Sequence, residues 1–451
     1  MKNQRLGRLV LAIFPLQGHT TPMLQLGNVL HFKGFAITIA HTRFNPPNPS
    51  KHPHFNFLLL SDNLPYSDTS TTPTIYDIEG INRSCHAPLQ EFLELQSQTA
   101  DVPVVGIIFD SIMYFAATVA HHIKIPRLVL MTSSAGFEQT FRAIPRLLEE
   151  GSLPFQDSML HELVPDLSPL RFKDLPVSNN NMNETLKLND IASNMKTFSA
   201  IILNTIDCLE QSSMLQIRQH YNVPVFGIGP LCKVAPTLFT SFLEEETSCI
   251  GWLNNQRAKS VIYVSKGSLA TSDENELTEI FWGLANSDQP FLWVVRPGSV
   301  SGSEWTEVLP KGFKEVIGER GLVVKWAPQK EVLAHSAVGG FWSHCGWNST
   351  MESLSEGVPM ISSPQFFDQK VTARYLTYVW KVGIELDGVL ERGDIERSIR
   401  RLMTGMEGDE MRHRANELKQ LIDDSILEGG SSYNSLNDLT ECLLAKNLPE
   451  P

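Results

Sequence analysis

Paired cysteines are missing from this chain. Its six cysteines, Cys85, Cys208, Cys232, Cys249, Cys345 and Cys442, stand far apart, with no Cys-x-x-Cys and no cluster at metal-ligand spacing. That excludes a disulfide scaffold and a zinc module, and it suits a reducing compartment. Positive charge is scarce: Lys and Arg number 37 against 50 Asp and Glu, a net charge of −13 at pH 7. So acidic a balance argues against a broad nucleic-acid or anionic-membrane surface. Several catalytic signatures are absent too. There is no Gly-x-x-x-x-Gly-Lys-[Ser/Thr], hence no P-loop. No Gly-x-Ser-x-Gly elbow supports a nucleophilic serine, and Ser133-Ser134 lack a matching context. Gly227-Ile-Gly has neither the third glycine nor the helix of a dinucleotide fingerprint. No Asp-x-Asp occurs, so a metal clamp on a diphosphate has no evident ligands.

What is present is a long, core-rich chain. Its 451 residues predict two or three domains, and the 42% apolar fraction supplies a large core. Two stretches mimic membrane segments without qualifying. Leu9–Phe14 follows a basic start but no small-residue cleavage site comes after it, so it reads as a first strand. Val102 to Ala120 carries Asp110 at its centre and reads as a strand ending at Asp110, followed by a buried helix. The expectation is a soluble, cytoplasmic protein without stable membrane insertion.

Apolar runs of strand length alternate with helical patterns throughout. In the first half they are Arg8–Phe14, Phe35–Ala40, Asn56–Leu60, Gly106–Phe109, Arg127–Met131 and Ala200–Leu203. In the second they are Ser260–Val264, Phe291–Val295, Leu322–Lys325, Gly339–Trp342, Val358–Ile361 and Gly383–Leu386. Thr21-Pro22 opens one helix, with Thr21 as its cap, and Gly34 ends it. Strand–helix alternation of this kind predicts α/β architecture: two doubly wound parallel-sheet domains, with ligand between them at the strands' C-terminal ends. The expected division is 1–229, a linker at 230–248, a second domain at 249–430, and a C-terminal helix and tail at 431–451 returning to the first domain. Residues 62–87 and 151–195 read as irregular loops.

Two residues of the first half stand out. His19 lies between the first strand and a helix, where the helix dipole would keep a base neutral; the alternative is a mere helix cap. Asp110 ends an otherwise apolar strand predicted for the same sheet. It would fix the tautomer of a histidine partner, or else cap the helix Ser111–His121. In the second half, Gly339–His344, the turn Cys345-Gly346-Trp347 and a helix opening with Asn348-Ser349 form an anion cradle, to which His344 can add a donor. Glu352 stands three residues after Ser349, so a capping box explains it equally well. Ser265-Lys-Gly-Ser268 is a second candidate cradle. Trp326, Ala327, Pro328 and Gln329 end another strand, where an aromatic face and an amide suit a nucleobase. Asp368-Gln369 begins another helix, as sugar ligands or as an ordinary cap.

Together these positions resemble the plant UDP-sugar-dependent glycosyltransferases of small molecules (family 1). The most specific part is the box from Trp326 to Gln369, 44 residues reading WAPQKEVLAHSAVGGFWSHCGWNSTMESLSEGVPMISSPQFFDQ. The opening FPLQGHTTPMLQL and the tail GGSSYNSL also look like this family, and HTRFN at 41–45 looks like its branch that acts on terpenoids, cytokinins and related metabolites. The resemblance implies a GT-B fold of two facing Rossmann-like domains, inversion at the sugar, and no metal or other cofactor. It makes His19 the general base and Asp110 its partner. Trp326 would stack on uracil, Gln329 hold base or ribose, and Glu352 bind the ribose. His344, Asn348, Ser349 and Ser268 would meet the diphosphate. Trp347, Asp368 and Gln369 would meet the hexose, and Thr132 its 6-hydroxyl. Gln at the last box position favours UDP-glucose as donor. The implied activity is glucosylation of a hydroxyl on a small apolar metabolite by a monomer, with UDP-sugar and acceptor as its partners. A catalytically silent UDP-sugar or metabolite sensor on the same fold is the alternative, and a sugar-nucleotide epimerase is disfavoured. The chain departs from the family pattern at Lys266, where Phe is usual, and at Phe367, where a smaller residue is common.

Overall fold

A computed structural model of the chain describes residues 5–61, 75–99, 101–177, 182–194, 198–235, 241–269, 271–299 and 312–445. Thirteen strands among them build two all-parallel sheets. The first contains β1 (Arg8–Ala12), β2 (Ala36–His41), β3 (Asn56–Leu59), β4 (Val104–Asp110), β5 (Arg127–Met131), β6 (Ala200–Leu203) and β7 (Val225–Gly227), in the order β3-β2-β1-β4-β5-β6-β7. The second contains β8 (Val261–Ser265), β9 (Phe291–Val294), β10 (Gly321–Val324), β11 (Val338–Ser343), β12 (Met360–Ser362) and β13 (Gly383–Glu385), in the order β10-β9-β8-β11-β12-β13.

Continuous apolar runs make these strands because both faces of each sheet are covered. Along β1, Leu9 and Leu11 enter one core cluster while Val10 and Ala12 enter another, the period of two that a pleated strand imposes. In each sheet the order reverses once, at β1/β4 and at β8/β11. Such a switch point opens a crevice at the strands' carboxyl ends.

The chain divides into two compact units. One comprises Met1–Asp157, Val177–Phe242 and Asp424–Pro451; the other comprises Ser158–Pro176 and Leu243–Asp423. These bounds differ from the 1–229 and 249–430 expected from sequence, for identifiable reasons. Arg171 and Lys173 form ion pairs with Glu385, which draws Ser158–Pro176 into the second unit. At the C-terminal side the first unit resumes at Asp424 rather than 431, and Leu436, Leu439 and Leu443 of the helix Ser431–Leu444 enter one of its core clusters. Leu231 and Ala235, assigned to the linker, enter that cluster too, whereas 236–240 lie outside the described residues.

Other expectations need correction. The helix after β1 runs Gln17–Phe32 from an N-cap at Leu16, so Pro22 lies inside it and Thr21 is no cap. The hydroxyl of Thr21 accepts from the Gln17 amide instead, at 2.7 Å. Two segments read as loops contain helices, Ile75–Ser84 and Met182–Asn194; 62–74 lie outside the described residues. Val102–Ala120 is β4 followed by the helix Phe115–His122. Among the described residues no helix is long and apolar enough to cross a membrane.

Candidate functional site

In the first unit, the switch between β1 and β4 places His19 and Asp110 together. His19 occupies the first turn of the helix Gln17–Phe32, and Asp110 is the last residue of β4. His19 Nδ1 lies 2.8 Å from Asp110 Oδ2. Asp110 is fully buried, and its other oxygen accepts from the Ile112 N–H at 2.9 Å. An ionised carboxylate only accepts, so Nδ1 carries the proton and Nε2 keeps its lone pair. Phe14 packs edge-on to the imidazole, 5.3 Å between ring centres. Thr132 Oγ1 lies 3.2 Å from the same Nδ1. The structure therefore groups His19, Asp110 and Thr132.

Thr132 sits between β5 and the helix Ala135–Glu149, and that helix start carries a feature missed in the sequence. Glu210, 3% exposed, accepts from the Ala135 and Gly136 N–H groups at 2.9 and 2.8 Å and from the Thr205 hydroxyl at 2.6 Å. Burial raises its carboxyl pKa, and these three donors oppose the rise. It satisfies helix-terminal donors that would otherwise be stranded. The available signal was a carboxylate at an inward position of the Asp207–His220 pattern.

In the second unit, the β8/β11 switch brings Ser265–Ser268 and His344 together. Gly267 has φ +80°, and a Cβ there would lie 2.6 Å from His344 Cε1 and Nε2; a Cβ on Gly346 would lie 2.5 Å from Nε2. Only glycines let the backbone approach this ring so closely. Burial, with a smaller contribution from the nearby Lys266 charge, lowers the His344 pKa to about 4, so the ring is neutral. Ser268 is half-buried in the same loop. Lys266 turns to another partner: its Nζ pairs with the Glu276 carboxylate and donates to Ser272 Oγ at 3.0 Å.

The helix after β11 spans Trp347–Ser355, with Gly346 as N-cap and Cys345 at φ 66°. Glu352 is thus the sixth helical residue, and the Ser349–Glu352 capping box does not form. Both side chains accept from one amide instead. Gln329 Nε2 donates to Glu352 Oε2 at 2.7 Å and to Ser349 Oγ at 3.0 Å, while Gln329 Oε1 accepts from Tyr263 O–H at 3.3 Å. Burial raises the Glu352 pKa, and the Gln329 hydrogen bond opposes it. Tyr263, fully within the core, is the second residue that sequence reading missed. Trp326 is half-buried two residues beyond β10, Ala327 is buried, and Asn348 is half-buried. The Trp347 ring is 3% exposed, 6.4 Å from Trp380.

Asp368 opens the helix Asp368–Arg374, and the N-cap, Phe367, has φ 51° and ψ −127°. That backbone is strained for any residue with a Cβ and costs about 1–3 kcal/mol. Gln369, 5% exposed, folds its carbonyl back to accept from the N–H groups of Gln365 and Phe366, at 2.9 and 3.3 Å.

Residues 69–412 match the family model described as "UDP-glucoronosyl and UDP-glucosyl transferase". The chain belongs to this family of glycosyltransferases. It is 47% identical over 453 residues to UDP-glycosyltransferase 76E1 of Solanum lycopersicum, covering 99% of this chain and 94% of that protein. It is 45% identical to the flavonol 3-O-glucosyltransferase UGT76E12 of Arabidopsis thaliana, covering 95% of each. Among solved structures, UGT2 of Phytolacca americana, complexed with UDP-2-fluoroglucose and pterostilbene, superposes with a TM-score of 0.82 at 27% identity, covering 97% of this chain and 99% of that one. Os79 of O. sativa bound to UDP gives a TM-score of 0.83 at 25% identity, covering 96% of this chain and all of the other. The fold is the family's GT-B architecture.

Proposed function

We propose that this glycosyltransferase is an inverting, metal-independent enzyme that moves glucose from UDP-glucose to a hydroxyl of a small apolar plant metabolite, forming a β-glucoside. The acceptor class is terpenoid, phenolic or a glycoside of these. His19 Nε2 takes the proton of the acceptor hydroxyl as that oxygen bonds to the anomeric carbon. The bond from that carbon to the phosphate oxygen breaks, and UDP leaves with the electron pair. Asp110 holds the tautomer and stabilises the imidazolium that forms. Thr132 serves the 6-hydroxyl of the sugar beside His19.

Trp326 and Ala327 pack against uracil, Gln329 and Glu352 hold the ribose, and Ser268, His344, Asn348 and Ser349 meet the diphosphate. A neutral His344 and the start of the helix Trp347–Ser355 offer donors where charge grows on the leaving group. Trp347, through its backbone at the first helical position, joins Asp368 and Gln369 at the hexose. The 2.8 Å His19–Asp110 contact supports the base assignment most directly. The flavonol glucosyltransferase relative and the fluoroglucose-bound neighbour support the choice of sugar and of acceptor class. Mass spectrometry after incubation with UDP-glucose and a mixed plant metabolite extract tests the reading. New ions heavier by one hexose, dependent on UDP-glucose and insensitive to chelator, are expected. UDP release without any glycosylated product overturns it.

A further inference from the structure

The helix Asp368–Arg374 begins with Asp368 and Gln369 and, at its second end, passes from Arg374 without a break into the π-helix Tyr375–Val379. That second end is held by a segment from the first half of the sequence. Arg374 Nε donates to the Pro169 carbonyl at 2.9 Å, its guanidinium lies 3.7 Å from Asp174 Oδ2, and it covers the Tyr378 ring at 4.0 Å. Asp174 is gripped by a fork from Arg171, with Nε and Nη2 at 2.9 and 2.8 Å. The same Nη2 reaches Glu385, at the end of β13, at 2.9 Å. Lys173 pairs with Glu385 at 3.0 Å and with Asp387. The 3-10 turn Phe172–Asp174 packs directly on the helix. Burial lowers the pKa of Lys370, one turn before Arg374, and the nearby charges of Asp174 and Asp387 oppose that shift. Arg171, Asp174 and Arg374 are all largely buried, at 14%, 6% and 12% side-chain exposure. Forked, desolvated pairs of this kind fix geometry.

We infer that the segment Arg171–Asp174 is a clamp that sets the position of the helix Asp368–Arg374, and through it the discrimination of the transferred hexose. Arg171, Asp174 and Arg374 are positioning residues: they touch no substrate, and they act through the pose of Asp368 and Gln369. The α-helical and π-helical parts together run twelve residues, Asp368–Val379, and move as one rod, so loosening the hold on Arg374 within it shifts its start. The inference rests on the proposal that Asp368 and Gln369 meet the hexose.

The test uses the full chain with Arg374→Met, and with Arg171→Lys, which keeps the charge but loses the fork, should the first variant fail to fold. Affinity for UDP, which has no hexose, is compared with kcat/KM for UDP-glucose and for its C4 epimer UDP-galactose. Unchanged UDP affinity, with the preference for UDP-glucose shrinking about tenfold, is expected, since a displacement near 1 Å costs that much or more. An unchanged epimer preference overturns the clamp, as does a parallel loss of UDP affinity and turnover, which marks general destabilisation. Asp368→Asn run alongside separates the two readings. If it leaves the preference intact, the hexose assignment fails. If it abolishes the preference while Arg374→Met does not, the clamp alone fails.

Discussion

Replacing Gly267 by alanine puts a methyl carbon 2.6 Å from two ring atoms of His344. Comfortable contact needs about 3.5 Å, so ring or loop must shift by roughly 1 Å. The backbone adds its own cost: at φ +80° a residue with a Cβ loses about 1–2 kcal/mol. If His344 hydrogen-bonds the diphosphate, the displaced ring forfeits a bond to a charged group worth about 1.5–3 kcal/mol, and the Kd for UDP rises about 10- to 100-fold. Titration calorimetry with UDP measures this, and chemical denaturation measures the separate stability loss. The cycle with His344→Ala is decisive. Without the ring there is nothing to strike, so Gly267→Ala added to His344→Ala lowers stability but leaves UDP affinity where His344→Ala alone put it. Wild-type UDP affinity in the single variant, or full additivity in the double, refutes the reasoning.

Lys266→Phe should leave UDP affinity within about threefold of wild type, because the ammonium is engaged by Glu276 and Ser272; a diphosphate contact would instead cost tenfold or more. Phe367→Gly should raise the unfolding free energy by about 1 kcal/mol, as relief of strain outweighs the extra freedom of glycine in the unfolded chain; a measured loss contradicts the strained N-cap. The buried His52 is held at a pKa of about 4, first by burial and then by the charges of His54 and Lys51, against its ordinary 6.5. His31 and His54 are lowered as well. The unfolded chain therefore takes up protons first, and the stability from these neutral imidazoles is complete above pH 6.5 and lost as pH falls toward 4. His52→Gln should flatten the fall of the denaturation midpoint over that range, and an unchanged slope rejects this assignment.

Most strands were legible because burial on both faces demands uninterrupted apolar runs, as in Leu128–Met131. The three-residue strand Val225–Gly227 was not, being too short between Pro224 and Gly229 to show a pattern. The helix Met182–Asn194 is mostly polar and shows little periodicity to read. Pro22 misplaced a helix start: proline favours the first turn, yet here the chain tolerates it at the sixth position. For the candidate site, residue type and position singled out His19 and Asp110 as candidates, and the resemblance to the family supplied the box from Trp326 to Gln369. Spacing alone left Glu352 undecided, because the capping box depends on where the helix begins. The left-handed Cys345 and the N-cap Gly346 start it early enough to free both Ser349 and Glu352 for Gln329. Tyr263 and the helix-start donors that Glu210 binds lie far apart in sequence from their partners, so the inward position of Glu210 alone did not show its role.

The account depends most on His19 acting as a base. Its most direct test is the turnover of His19→Ala with UDP-glucose and an accepted hydroxyl compound, set beside UDP-glucose affinity measured on the same preparation. Loss of the base should lower turnover by about 10²- to 10⁴-fold while the affinity holds. Turnover within a few-fold of wild type would contradict the account.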